Sequence, residues 1–408
     1  MKAVRFRRTL CLLLASVMMA SCLPSCSAVK PEATTSETAQ QTNREIPREL
    51  LNVDEQIKKL NNIEGNIWIN EDEQYKVKLG KLRSQIKDNV SVRGSIIIAT
   101  DDDVILASGT RLKDRDGNEV TPHTTYEIGS VTKSMTAVCI MKLVEDGKIK
   151  LDDTLGDSFP EYSSCPFYSE VSKITVRNLL RMRSGIHDFV NDPQGFWGEE
   201  TGSELAGTGL VTEEGYNSFF DKYGDKIAEQ AFCRKPGFEH GKKLDYSNTN
   251  YTLLAEIIEK KSGMSYARFM EETVFKPCGM TDTTCMKDGN VQASIKKDAW
   301  YNRFNSSKGC GDVHSSVVDL LKYHRALFGG YLLSEDSMNE IMNFTDGYGF
   351  GWQRMDDWIL HGGSTAGFST FNGVLDDVNG KRIYVIMCAN QGEECVLSLI
   401  VPMSGLRM

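Results

Sequence analysis

Apolar positions along the chain change their period three times. Residues 95–100 are β-branched and apolar, Asp101-Asp102-Asp103 interrupts them, and residues 104–109 resume the run, which predicts two short strands joined by a turn. Residues 114–118, with Gly117, punctuate the chain again. From 131 to 144 the pattern becomes helical and stops near Gly147. The middle third reads as helices and long loops, with helices at 176–182 and 253–261. Beyond Tyr348 strand signals return at 358–361, 367–375 and 382–389. Strands at both ends around a helical middle predict an α/β (α+β layered) fold. It has an antiparallel sheet built from both ends of the chain, helices on its faces and an inserted, mainly helical region. Upstream, Tyr75, Leu79, Leu82 and Ile86 form one helical stripe, so 49–91 is expected to be an N-terminal helical segment ahead of a main domain at 92–408.

The first residues change the picture of where this domain works. Arg5, Arg7 and Arg8 precede an apolar run at 10–20 that meets Ser21-Cys22, the order of a secretory signal. The run falls short of the roughly 20 apolar residues a spanning helix needs. Met19-Ala20-Ser21-Cys22 resembles the bacterial lipobox, with Leu23-Pro24-Ser25-Cys26 as its rival. Residues 1–26 are therefore expected to direct export, with Cys22 the lipidated residue. Residues 27–48, rich in Thr, Gln, Glu and Ser, read as a disordered tether. The expectation is a lipoprotein anchored to a membrane through its lipid alone, in the periplasm or at the cell surface; plain secretion is the alternative.

A net charge of −9 and the absence of a basic face argue against a nucleic-acid partner. Eight cysteines follow Cys26, which in an exported chain raises disulfides, and Cys278 with Cys285 is the pair to check first. Cys139 and Cys388 lie in apolar segments and read as small buried hydrophobes. No Cys-x-x-Cys pair or His-Glu-x-x-His occurs, so no metal site is expected.

Candidate chemistry begins with Ser-x-x-Lys, which occurs four times, at Ser27, Ser84, Ser130 and Ser294. Only Ser130 follows a turn, Glu127-Ile128-Gly129, and opens an apolar helix. A serine there has unpaired backbone N–H groups and a positive dipole end beside it, which stabilise a developing oxyanion. Lys133, one helical turn on, brings its amine beside the Ser130 hydroxyl. Alone, the pair also fits an ordinary helix cap with an unrelated lysine. The second element is Tyr246-Ser247-Asn248, the one Tyr-x-Asn of the chain. The Tyr246 phenolate would be favoured beside an ammonium, making it a candidate general base. Asn248 can donate and accept, holding Lys133 and a substrate amide together. The third is His361-Gly362-Gly363-Ser364 at a strand end, where glycines let backbone approach a ligand and the Ser364 N–H can pair with that of Ser130.

In this order the three elements resemble the serine β-lactamase and penicillin-binding superfamily, and Tyr-x-Asn resembles its class C β-lactamase and DD-peptidase branch. Residues 126–134, 147–153, 174–180, Pro236-Gly237, 277–280, 348–352 and Gly367-Phe368 are similar to that branch as well. The resemblance implies a β-lactamase/transpeptidase-like fold and acyl transfer without metal or cofactor. Ser130 would attack, Lys133 and Tyr246 would move its proton, and water would release the acyl group. Asn248, His361, Gly363 and Ser364 would bind substrate. Where class C enzymes carry Lys-Thr-Gly this chain has His361-Gly362-Gly363, so weaker carboxylate binding is expected. That places a DD-carboxypeptidase, peptidase or esterase of the cell envelope ahead of a β-lactamase. The expected partner is a small-molecule or peptidoglycan-peptide substrate, and the expected oligomeric state is a monomer. An α/β-hydrolase is disfavoured, because no Gly-x-Ser-x-Gly exists. A lipid-tethered sensor that is acylated but turns over poorly uses the same residues and is separated from an enzyme by deacylation rate.

Overall fold

A computed structural model describes residues 45–62, 67–72, 94–109, 117–209, 212–285, 307–365, 367–376 and 381–389. Cys22 and Cys26, the 75–86 stripe with Ser84, Ser294 and the segment 393–408 lie outside them.

Eight strands form one antiparallel sheet: β1 (Asn61–Asn62), β2 (Ile67–Ile69), β3 (Gly94–Thr100), β4 (Val104–Ser108), β8 (Gln353–Met355), β9 (Trp358–Ser364), β10 (Ser369–Asp376) and β11 (Arg382–Ala389). Their spatial order is β1-β2-β4-β3-β11-β10-β9-β8, so β3 from the N-terminal side pairs with β11 from the C-terminal side. The central strands bury both faces, which explains their unbroken apolar runs. On β11, Tyr384, Ile386 and Cys388 join one core and Ile383, Val385 and Met387 the other. Strands β5 (Tyr126–Glu127), β6 (Thr284–Cys285) and β7 (Val313–Ser315) make a small second sheet in the order β5-β7-β6.

Three helices set the site: α1 (Thr132–Glu145), α2 (Asn248–Ser262) and α3 (Val317–Phe328). Helix α1 is buried at every residue from Thr132 to Met141, so it runs through the core rather than across its surface. Helix α2 ends at Gly263, whose φ of +72° closes it in a left-handed cap.

The described part of 49–91 departs from the helical expectation. Two helical turns, Arg48–Leu51 and Val53–Lys58, give way to β1 and β2, which extend the main sheet. Ile67-Trp68-Ile69 alternates buried, half-buried and buried, a strand period too short to stand out from sequence. The fully buried Arg325 ties this segment down, donating to Thr100 O at 3.0 and 2.8 Å, to Leu50 O at 3.3 Å and to Gln56 Oε1 at 3.1 Å.

Cys278 and Cys285 are both buried, and no disulfide joins them. The thiols that meet are Cys165 and Cys233, with sulfurs 3.2 Å apart. A disulfide needs about 2.05 Å, a short closure for two partly exposed side chains. Oxidised glutathione is expected to link Cys165 to Cys233 first. Non-reducing peptide mapping checks this, and a first link at any other pair would contradict it.

Three histidines are buried and held neutral: burial pushes His314 down to about 4, and His324 and His361 down to about 3. The unfolded chain takes up these protons near the ordinary 6.5. Their contribution is therefore complete above pH 6.5 and is lost as pH falls toward 4, at up to roughly 4 kcal/mol per pH unit for three rings. His324 packs among Phe328, Trp352 and Tyr384. His324→Phe is expected to remove about a third of that acid slope, measured by urea titration at about pH 7 and about pH 5. An unchanged slope would contradict it.

Candidate active site

The sequence Glu127-Ile128-Gly129-Ser130 leaves β5 and turns into α1 through a tight helical turn, Gly129–Val131. Gly129 sits at φ +53°, a conformation other residues rarely adopt. The turn is pinned to β7 on both sides: Ile128 N donates to Val313 O at 3.0 Å, and Val313 N to Thr132 Oγ1 at 3.2 Å. Ser130 is left partly exposed.

Lys133 is fully buried, and its ammonium donates to Ser130 Oγ at 2.9 Å, Asn248 Oδ1 at 2.8 Å and Cys310 O at 2.7 Å. An ammonium has three donors and no acceptor, so all its hydrogen-bonding capacity is committed. Its nitrogen also lies 5.0 Å from the Tyr246 ring centroid and 5.8 Å from that of Tyr251, within reach of both ring faces. No hydrogen bond holds the Tyr246 hydroxyl among the described residues. The ring stands edge-on to Tyr348 at 6.1 Å.

The end of β9 lies against this turn. A Cβ added at Gly363 would fall 1.9 Å from Ile128 O and 3.3 Å from Ser130 N; one at Gly129 would fall 2.9 Å from Ser364 N. Only glycines permit this approach, which sets the amides of Ser130 and Ser364 close together. Strand β8 pairs with Trp358, Ile359 and Leu360 alone, so the remainder of β9 has no strand partner on that edge among the described residues.

Ser130, Lys133, Tyr246, Asn248, Gly363 and Ser364 thus share one site. His361 is the exception. It was expected to face a substrate, but it is 2% exposed with both nitrogens on protein groups. Nδ1 lies 2.7 Å from Gly362 O, which only accepts, so Nδ1 carries the proton and Nε2 accepts from the Tyr348 hydroxyl at 3.3 Å. Burial, then the Lys133 charge, push its pKa down to about 3. Sequence reasoning also missed the Cys310 carbonyl, a backbone acceptor that leaves no residue-type signal, and Asp188, which holds Asn248 from a distant loop.

A family model described as Beta-lactamase matches residues 82–396. The chain belongs to the beta-lactamase family, whose members are generally serine hydrolases. PbpX of Bacillus subtilis (strain 168) is 26% identical over 307 residues, covering 72% of this chain and 69% of PbpX. Protein flp of Staphylococcus aureus (strain MRSA252) is 29% identical over 331 residues, covering 75% of this chain and 61% of flp. The octameric penicillin-binding protein homologue from Pyrococcus abyssi superposes with a TM-score of 0.58 at 26% identity, covering 80% of this chain and 78% of that one.

Proposed function

We propose that the chain is an exported serine acyl-hydrolase that forms an acyl-enzyme on Ser130 and cleaves amide or ester bonds of the cell envelope. The observation that carries this reading is Lys133, buried, in no ion pair among the described residues and aimed at Ser130 Oγ. Attack by Oγ on a carbonyl makes an oxyanion that the Ser130 and Ser364 amides face. With Lys133 an ammonium, the hydroxyl proton passes to Tyr246 acting as a phenolate, and the Tyr246 hydroxyl so formed returns it to the leaving group. The open edge of β9 offers backbone to an extended substrate, as strand addition requires. In this reading Cys22 carries the lipid and the tether holds the domain off the membrane.

The substrate reading follows from His361. A neutral, inward ring puts no positive charge on β9, so nothing there draws a substrate carboxylate. A carboxypeptidase, peptidase or esterase is therefore placed ahead of a β-lactamase. Rates on nitrocefin, a diacyl-D-Ala-D-Ala peptide and p-nitrophenyl acetate test it: the peptide or the ester is expected to turn over fastest, and nitrocefin turnover far above both would overturn the ranking.

A further inference from the structure

The Asn248 amide stands between Lys133, which can only donate, and Asp188, which can only accept. Asp188 is 5% exposed and lies in the loop after Ser184-Gly185. Its Oδ2 accepts from Asn248 N at 2.7 Å, Asn248 Nδ2 at 2.9 Å and Asn191 Nδ2 at 3.1 Å. Its Oδ1 accepts from the backbone of Val190 and Asn191, each at 2.8 Å. Five donors thus fix the carboxylate in place.

We infer that Asp188 is a positioning residue for acylation: it locks the Asn248 amide with its oxygen toward Lys133 and so keeps the ammonium on Ser130. This rests on the reading of Ser130 as the nucleophile. With Asp188 present the amide has one workable orientation, since the flipped form would set an NH2 against the ammonium and an oxygen against the carboxylate. Without it that discrimination goes, and the flipped amide pushes Lys133 off Ser130. The same carboxylate caps α2 from outside. Ser247, at the N-cap, makes no side-chain cap, and its buried hydroxyl has no partner among the described residues. Asp188 takes the first helical N–H instead. Neighbouring bonds hold the loop on the helix start: Thr249 Oγ1 donates to His187 O at 2.8 Å and accepts from Phe189 N at 3.1 Å. The second Asn248 Nδ2 proton is left for a substrate carbonyl.

A fluorophosphonate probe reads the effect without knowledge of the natural substrate. In Asp188→Asn the maximal labelling rate of Ser130 is expected to fall roughly 10- to 100-fold with the half-saturating probe concentration unchanged. Asp188→Asn/Asn248→Ala is expected to label no more slowly than Asn248→Ala alone, because Asp188 acts through Asn248. Additive losses would overturn the inference. So would a smaller labelled fraction reacting at the wild-type rate, which is the mark of a merely structural role. A wild-type protein that does not label at Ser130 would sink the underlying reading, and this inference with it. Should Asp188→Asn not fold, wild-type protein with 15N-labelled asparagine decides. The Asn248 side-chain proton held by Asp188, assigned through Asn248→Ala, is expected to be protected from exchange. Rapid exchange would overturn the inference.

Discussion

Replacing Lys133 by alanine is expected to slow acylation of Ser130 about 1,000-fold or more, the scale of losing a positioned group that takes part in proton transfer. Among the described residues the side chain is the one group hydrogen-bonded to Ser130 Oγ, and it also holds Asn248 and the Cys310 carbonyl in place. Stability is set by opposing effects. Removing a buried ammonium relieves its desolvation, while the cavity and two stranded acceptors cost stability. Lys133→Met separates them, because it keeps most of the volume and removes the charge. Both variants are expected to lose the same activity, and the methionine variant is expected to melt higher than the alanine variant. The measurements are labelling rate with a fluorophosphonate probe and thermal melting. Labelling within tenfold of wild type in either variant would remove Lys133 from the mechanism.

The second large effect is expected from Gly363→Ala. Its Cβ would lie 1.9 Å from a backbone oxygen, so β9 and the Ser130 turn must separate by about 1 Å. A displacement of that size costs about 100-fold in a reaction that depends on alignment. The turn is pinned to β7 behind Ile128 and cannot yield without loosening Val313 as well. Gly362→Ala is the matched control, since a Cβ there meets only Thr370 O, at an ordinary 3.7 Å. Acylation rate by stopped assay is expected to fall in the first and stay within a few-fold in the second. Equal rates in the two would show that the glycine approach does not shape the site.

Sequence carried the central elements because their periods are long or unbroken. Helix α1 was expected over 131–144 and spans Thr132–Glu145, and the strand expected at 382–389 spans Arg382–Ala389. Strand β9 runs three residues past its expected end, to Ser364, because a pair of glycines reads as a loop while its backbone still pairs with β10. The site's residue types were legible through Ser130, Lys133, Tyr246 and Asn248 in order along the chain. Their supports were not. The Cys310 carbonyl belongs to no side chain, Asp188 lies 60 residues from the amide it holds, and Cys165 lies 68 from Cys233. The direction of His361 was illegible for a further reason: after Leu360 the glycines carry no side chain to report which face is inside.

The proposed catalytic chemistry passes through one covalent bond at Ser130. The most direct measurement is intact-protein and peptide mass spectrometry after exposure to a fluorescent penicillin or fluorophosphonate, on wild type and on Ser130→Ala. The expected result is one adduct on the wild-type peptide that contains Ser130 and none on the variant. Label that persists in Ser130→Ala would contradict the account.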